Sequence, residues 1–398
     1  MVITCSILFW GGLGFFIPKK YMRVYMVVAA IGMSSLYFLF QPTSRYDLYR
    51  HYEVLHILRK SNLVQILKGE FSRNNEILAD MLNSSPLYLI YAYCISKLQI
   101  DELLVVITGI IIYTSTSNII LMASDDIDED IADWKIAFCF FFLLAMLDYR
   151  TISGIRNMTA YALFANILYK DVVRNANKLL CFTAYIALAN FHSSVWVLIA
   201  IRLMLELSRF IPKLVLMVGM LVSFSFVELI LNFLKRFSSI QMIESLIIKM
   251  EAYGFGGGSK YIVSRAMIRV FHIIIYLSIL MYCKKKIPKT QRFQKYWDFV
   301  VLFIMFTIGA ISQYDIFVRG NVFMYFSILP FLLLFLHYVA GDTPLWVNIP
   351  GASGIGFSEV AVYFMIYAAL ALSFRLYFIE YYCSMDPGFI AGFRQLLS

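Results

Sequence analysis

Apolar residues run along this chain in long, almost unbroken stretches separated by short polar interruptions. The stretches predict helices over 2–17, 24–40, 86–100, 103–124, 134–149, 154–170, 179–191, 193–208, 213–234, 266–283, 297–312, 322–340 and 359–379. A hydrocarbon core of about 30 Å takes roughly 20 apolar helical residues, fewer where helix ends lie in protein or where flanking side chains snorkel. Each run is therefore a candidate span. The runs lack the alternation of a membrane barrel, and a helix satisfies its own backbone inside lipid. The expected fold is all-α: a polytopic membrane protein with about 12–14 transmembrane helices and a single integral membrane domain over 1–398. Three stretches read as water-facing. Residues 41–85 form an outer loop with a short amphipathic helix around Val54–Leu67. Residues 235–265 form an outer loop with a second amphipathic piece and the Gly254–Gly258 run, and 341–358 are a Gly/Pro loop.

Composition narrows the class. Of 398 residues, 61% are hydrophobic and 15% charged, against roughly 45–50% and about 25% in soluble domains. A soluble globule and a disordered chain are both excluded. The balance of 34 Lys and Arg over 25 Asp and Glu, +9, then reads as topology signal and headgroup contact, not as a nucleic-acid surface. Cys5, Cys94, Cys139, Cys181, Cys283 and Cys383 form no CxxC pair and behave as small hydrophobes. The first apolar run precedes its basic cluster, Lys19, Lys20 and Arg23. A cleavable leader has the opposite order, so this run reads as a retained span.

Lys/Arg bias sets orientation. The run Lys284-Lys285-Lys286-Ile287-Pro288-Lys289 marks the cytoplasm, as do Lys170, Arg174 and Lys178, and Arg209 with Lys213. Counting back from these places 235–265 and the turns at Asn190–Ser194 and Asp148–Arg156 outside. Counting forward from Lys19, Lys20 and Arg23 places 41–85 outside as well. The two counts differ by one crossing between 86 and 149. Three explanations stay open: 86–100 is re-entrant, one span is miscounted, or 179–208 crosses once.

Ionisable groups near membrane depth are costly and so mark function, and here they gather toward the outer face. Arg45-Tyr46-Asp47-Leu48-Tyr49-Arg50-His51-Tyr52 reads either as an amphipathic helix among the headgroups or as a site lip. In the second case Arg50 and Tyr52 meet a sugar, and Asp47 or His51 acts as base. Arg156 opens a predicted helix, with Arg150 just upstream. A cation there opposes the helix dipole unless an anion docks beside it. His192, between two short apolar runs, suits proton transfer or packing. Arg319 is a second candidate anion ligand, with a local pair to Asp315 as the plain alternative. Arg265 extends the basic set from the outer entrance of 266–283 and His272 reads as packing.

Other signals are weak. Gly254–Gly258 lacks the GK[ST] of a phosphate loop. Asp125–Asp130 resembles a calcium-loop fragment but lacks the central Gly and the closing Glu, so it reads as an acidic turn. No HExxH, GxSxG or His/Cys cluster occurs, so neither a metal nor another cofactor is expected.

The chain resembles the EpsG-type branch of the Wzy polysaccharide polymerases. Four stretches carry the likeness: Asp47…Tyr49…Tyr52, Ile155-Arg156-Asn157, Ala189…Phe191-His192-Ser193, and Val318-Arg319…Tyr325…Pro330. Asn157 departs from the Gln usual beside the Arg. The resemblance implies an integral-membrane glycosyltransferase fold of GT-C type in a bacterial cytoplasmic membrane, with its active site facing the periplasm or exterior. It implies an inverting transfer of a growing glycan from undecaprenyl diphosphate to a repeat unit on the same carrier. Membrane lipids, a flippase and a chain-length regulator are the further partners it suggests. Two other functions remain open, a flippase for the lipid-linked sugar and an O-acyltransferase of surface glycans.

Overall fold

Helices replace the predicted apolar runs almost one for one, but several are shorter than a bilayer is thick. The computed structural model describes residues 2–42, 47–68, 76–127, 131–147, 154–223, 235, 262–285 and 291–339, and among these there is no strand. The loops at Gly254–Gly258 and 341–358, the segment 359–379 and Arg150 lie outside the described residues.

Two compact units share the chain. The first contains α1 (Val2–Leu13), α2 (Lys19–Ser35), α3 (Asp47–Arg59), α4 (Leu63–Leu67), α5 (Glu76–Ser84), α6 (Pro86–Ser96), α7 (Leu103–Ile127) and α8 (Asp133–Met146). It adds α9 (Ile155–Val172) up to Ile167, the tripeptide Asn190–His192 and the late helix α16 (Leu329–Val339). Within it α2 lies along α7, and α16 packs on α7 and α8. A Cβ on Gly109 would meet Ser34 Oγ at 2.6 Å, so the missing side chain is what lets α2 approach α7 so closely. Asn166 Nδ2 donates to the Ser115 carbonyl at 2.6 Å and ties α9 to α7.

The second unit holds α10 (Lys178–Phe191) up to Ala189, α11 (Val195–Leu207), α12 (Lys213–Val222), α13 (Ile262–Lys284), α14 (Gln291–Gly309) and α15 (Tyr314–Ser327). Its core is α14, against which α11, α12, α13 and α15 pack. At one end sits a charge network. Asp171, with no exposed side chain, accepts from Arg202 Nε at 2.7 Å, Lys178 Nζ at 2.6 Å and Tyr185 Oη at 3.1 Å. Arg202 also donates to Glu206 at 2.8 Å, and Glu206 pairs with Arg209 at 2.8 Å. The start of α10 and the end of α11 therefore meet at one cluster, and the pair forms a hairpin that returns the chain to the side it left. This removes a single crossing of 179–208 from the open explanations.

The surface is inverted relative to a soluble protein. On α2, Val24, Val28 and Ile31 are exposed, while Met22, Met26, Ala29, Ala30 and Met33 are buried. Leu214, Val215, Val218 and Leu221 form an exposed apolar stripe on α12. Such stripes are stable against acyl chains, and the small buried residues let helices approach without a hydrophobic drive between them. Among the described residues, Lys19–Leu39, Leu103–Ile127 and Phe293–Ser312 are long and apolar enough to cross a membrane. A fourth span results if Asp315–Ser327 and Leu329–Val339 act as one. The break at Ile328 precedes Pro330, which has no N–H to carry the helical ladder onward. The chain is an α-helical, multi-pass membrane protein.

Candidate functional site

The expected outer loop folds as α3, and its sequence dictates which of its polar groups face inward. Leu48, His51, Leu55 and Leu58 recur at helical spacing and are buried with Val54, whereas Tyr49, Arg50 and Glu53 point out. The helix is held at both ends. Asp47 lies in its first turn, where the dipole favours a carboxylate. At the other end Lys97 Nζ donates to the carbonyls of Leu58, Arg59 and Ser61 at 3.2, 3.0 and 2.9 Å. Arg59 pairs with Asp101 at 2.5 Å beside His56, 3.3 Å from the same carboxylate. Lys97 and Asp101 follow α6, which begins at Pro86, so α3 is clamped alongside α6.

That clamp sets His51 against Tyr88. Tyr88 Oη lies 2.7 Å from His51 Nδ1, and the rings meet edge-on with centroids 5.2 Å apart. His51 Nε2 faces Asp47 Oδ2 across 3.5 Å, an ion-pair distance, and has no hydrogen-bond partner among the described residues. From α9, the Arg156 guanidinium stacks over the Tyr88 ring at 5.6 Å. Among the described residues it makes no ion pair and no hydrogen bond. Phe191, at the end of α10, packs on Tyr88 and Tyr91 with centroids 5.5 and 5.7 Å away. Tyr91 is anchored in turn by Thr108 at 2.9 Å. Three stretches outside α6 thus converge on one phenol ring.

The electrostatics follow from this packing. Burial alone would raise the Asp47 carboxyl, but His51 and the positive charges of Arg156 and Arg50 outweigh it and pull it down to about 2. Burial pushes the His51 imidazole below its ordinary value, and Arg156 adds to this against the opposing pull of Asp47. At neutral pH the site therefore holds an anionic carboxylate, half exposed, a buried neutral imidazole and a half-buried guanidinium. A cation, a proton acceptor and aromatic rings in one place can bind an anion and take a proton from a neighbouring hydroxyl.

Of the residues singled out from the sequence, Asp47, His51 and Arg156 come together, with Arg50 near enough to act on Asp47 through its charge. His192 follows Phe191 directly, half-buried, and Asn190–His192 belong to the first unit although the rest of α10 does not. Tyr52 lies elsewhere. Its hydroxyl is buried without a hydrogen-bond partner among the described residues and, raised by burial, also feels the Glu102 and Asp101 carboxylates. Arg319 is half-buried on α15 and Arg265 lies on α13, both in the second unit. His272 is buried against the rings of Tyr276 and Tyr325, as packing requires. Asp125 and Asp126 end α7, and among the described residues no group of His, Cys, Asp and Glu could hold a metal ion. Tyr88 was not foreseen. In Leu87-Tyr88-Leu89-Ile90-Tyr91 it looks like a belt aromatic, and only the ring contacts distinguish it. No family model, curated protein or solved structure matches the chain.

Proposed function

We propose that the chain is a membrane glycosyltransferase that polymerises lipid-linked oligosaccharide repeat units. It passes a growing glycan from undecaprenyl diphosphate to the acceptor sugar of another undecaprenyl-diphosphate-linked unit, at the outer leaflet of a bacterial cytoplasmic membrane. The observation that carries this reading is the meeting of Asp47 and His51 on α3 with Arg156 on α9, around Tyr88. The same residues carry two of the four stretches that resemble the Wzy polymerases, and a third supplies Phe191 and His192.

The chemistry needs little else. An acceptor hydroxyl oxygen attacks the anomeric carbon, its proton passes to a carboxylate, and the bond from that carbon to the diphosphate oxygen breaks with its electron pair. One displacement inverts the configuration. The diphosphate is already a good leaving group, so the protein has to hold developing negative charge and place a base. Arg156 offers a permanently charged, planar fork suited to phosphate. Its place in the first turn of α9 adds free backbone N–H groups and makes a docked anion the natural partner. Asp47 stays ionised at neutral pH and is reachable, so it takes the proton. Buried His51 acts through Asp47, and His192, next to Phe191, is the alternative base. In this reading the basic network at Asp171, Lys178, Arg202 and Arg209 faces the cytoplasm.

The test is extension of purified lipid-linked repeat units by the purified protein, with no metal or nucleotide added. A ladder of longer products is expected from the wild type, with Arg156→Ala and Asp47→Asn reduced by at least about 10²-fold. Full-length polymer from Arg156→Ala would sink the proposal.

A further inference from the structure

We propose that Tyr88 is a positioning residue: its hydroxyl fixes the ring nitrogen on which His51 carries its proton, and its ring seats Arg156. The inference rests on the polymerase reading for its consequence but not for its geometry.

The hydrogen-bond arithmetic leaves one arrangement. Ionised Asp47 can only accept, and Nε2 of His51 faces it at 3.5 Å. A lone pair on Nε2 would oppose the carboxylate, so Nε2 carries the proton. In a neutral imidazole Nδ1 is then an acceptor, and the only way to satisfy it at 2.7 Å is for Tyr88 Oη to donate. A doubly protonated ring is disfavoured because His51 is 1% exposed and Arg156 lies nearby. The phenol O–H thus keeps His51 presenting N–H to Asp47, leaving the other carboxylate lone pairs for an acceptor hydroxyl. The face of the same ring attracts the Arg156 guanidinium. One fully buried side chain, itself wedged between Phe191 and Tyr91, spaces the proton acceptor from the anion ligand. It touches no substrate; it acts through both.

Two substitutions separate the two duties. Tyr88→Phe keeps the ring under Arg156 and removes the donor, whereas Tyr88→Leu removes both. The full chain is placed in nanodiscs with its five histidines carrying ring ¹⁵N, and His51 is identified by the signals lost in His51→Gln. At neutral pH the wild type should show His51 protonated at Nε2 with Nδ1 accepting a hydrogen bond. In Tyr88→Phe that pattern should give way to a mixture of tautomers. A proton on Nδ1 in the wild type, or ring signals unchanged in Tyr88→Phe, overturns the inference. In the extension assay, Tyr88→Phe should lower kcat by roughly 10- to 100-fold with KM for the lipid-linked donor little changed, and Tyr88→Leu should raise KM as well. A Tyr88→Phe defect confined to KM also overturns it. If the wild type extends nothing, the polymerase reading fails, and the ¹⁵N result alone still decides for or against Tyr88.

Discussion

At the scale of single residues, the site depends on how burial distributes charge. Arg156 is the group whose geometry cannot be traded for charge alone. Arg156→Lys keeps a cation but loses the fork and much of the stacking on Tyr88, so extension should fall at least about tenfold while the protein remains folded. An unchanged rate in Arg156→Lys would mean that only net charge matters there. His51 gives a pH signature. Its imidazole titrates lower in the fold than in the unfolded chain, so between those two values the unfolded state binds the extra proton. Stability is then complete above about pH 6.5 and falls as the pH drops below it. Thermal midpoints of wild type and His51→Gln, compared from pH 7.5 to 5, should show a steeper acid decline in the wild type; parallel curves would refute the buried neutral imidazole. Asp47 and His51 were legible in the sequence because i, i+4 spacing unites them on any helix. Their partner Tyr88 was not, because an aromatic in an apolar run has the same local pattern whether it meets lipid or an imidazole.

At the scale of elements, the fixing of α3 decides whether the site exists. The apolar spacing predicted an amphipathic piece over Val54–Leu67, and the structure instead starts the helix at Asp47 and breaks it at 60–62. The break has a local cause, since Asn62 caps α4 by accepting from Val64 N while Gln65 reaches back to Asn62 N. The early start has a tertiary cause, since burial of Leu48 and His51 extends the helix beyond what pattern alone indicated. Lys97 holds the far end. Lys97→Met should free three carbonyls from a charged donor and weaken the last turn of α3 by about 1–3 kcal/mol. Hydrogen exchange at Leu58–Ser61 should quicken, and extension activity should fall although no site residue has changed. The Asp171 network is a sterner case. Arg202, 2% exposed, shares the fully buried Asp171 with Lys178, so Arg202→Met leaves that carboxylate with one cation of two, a loss of about 1–3 kcal/mol. Unfolding in mixed micelles should register that loss, and Asp171→Leu with Arg202→Met should recover much of it.

At the scale of the whole molecule, the shortness of α6 bears on the conflict between the two charge counts. α6 has 11 residues, about 16 Å of helix, roughly half of a hydrocarbon core. It runs beside α3, meeting His51 through Tyr88 near its start and the α3 carbonyls through Lys97 just past its end. Paired with α3 in this way, α6 fits the re-entrant alternative for 86–100, in which the chain dips in without crossing. With that crossing removed and the α10–α11 hairpin retained, the forward count from Lys19 and the backward count from Lys284 agree. On the proposed reading Arg156 and His192 then lie outside, and Lys178 and Arg209 inside. Hydropathy does not show this, because Pro86–Ser96 is as apolar as a true span; its pairing with α3 is what sets it apart. The arrangement is open to direct measurement. In a background with the six cysteines replaced, Ala176→Cys and Ser208→Cys should be blocked only by reagents that reach the cytoplasm. Ser193→Cys should be blocked by an impermeant maleimide applied from outside. Labelling of all three from the same side would break the hairpin, turn the Arg156 pocket away from the outer leaflet, and remove the lipid-linked glycan as its substrate.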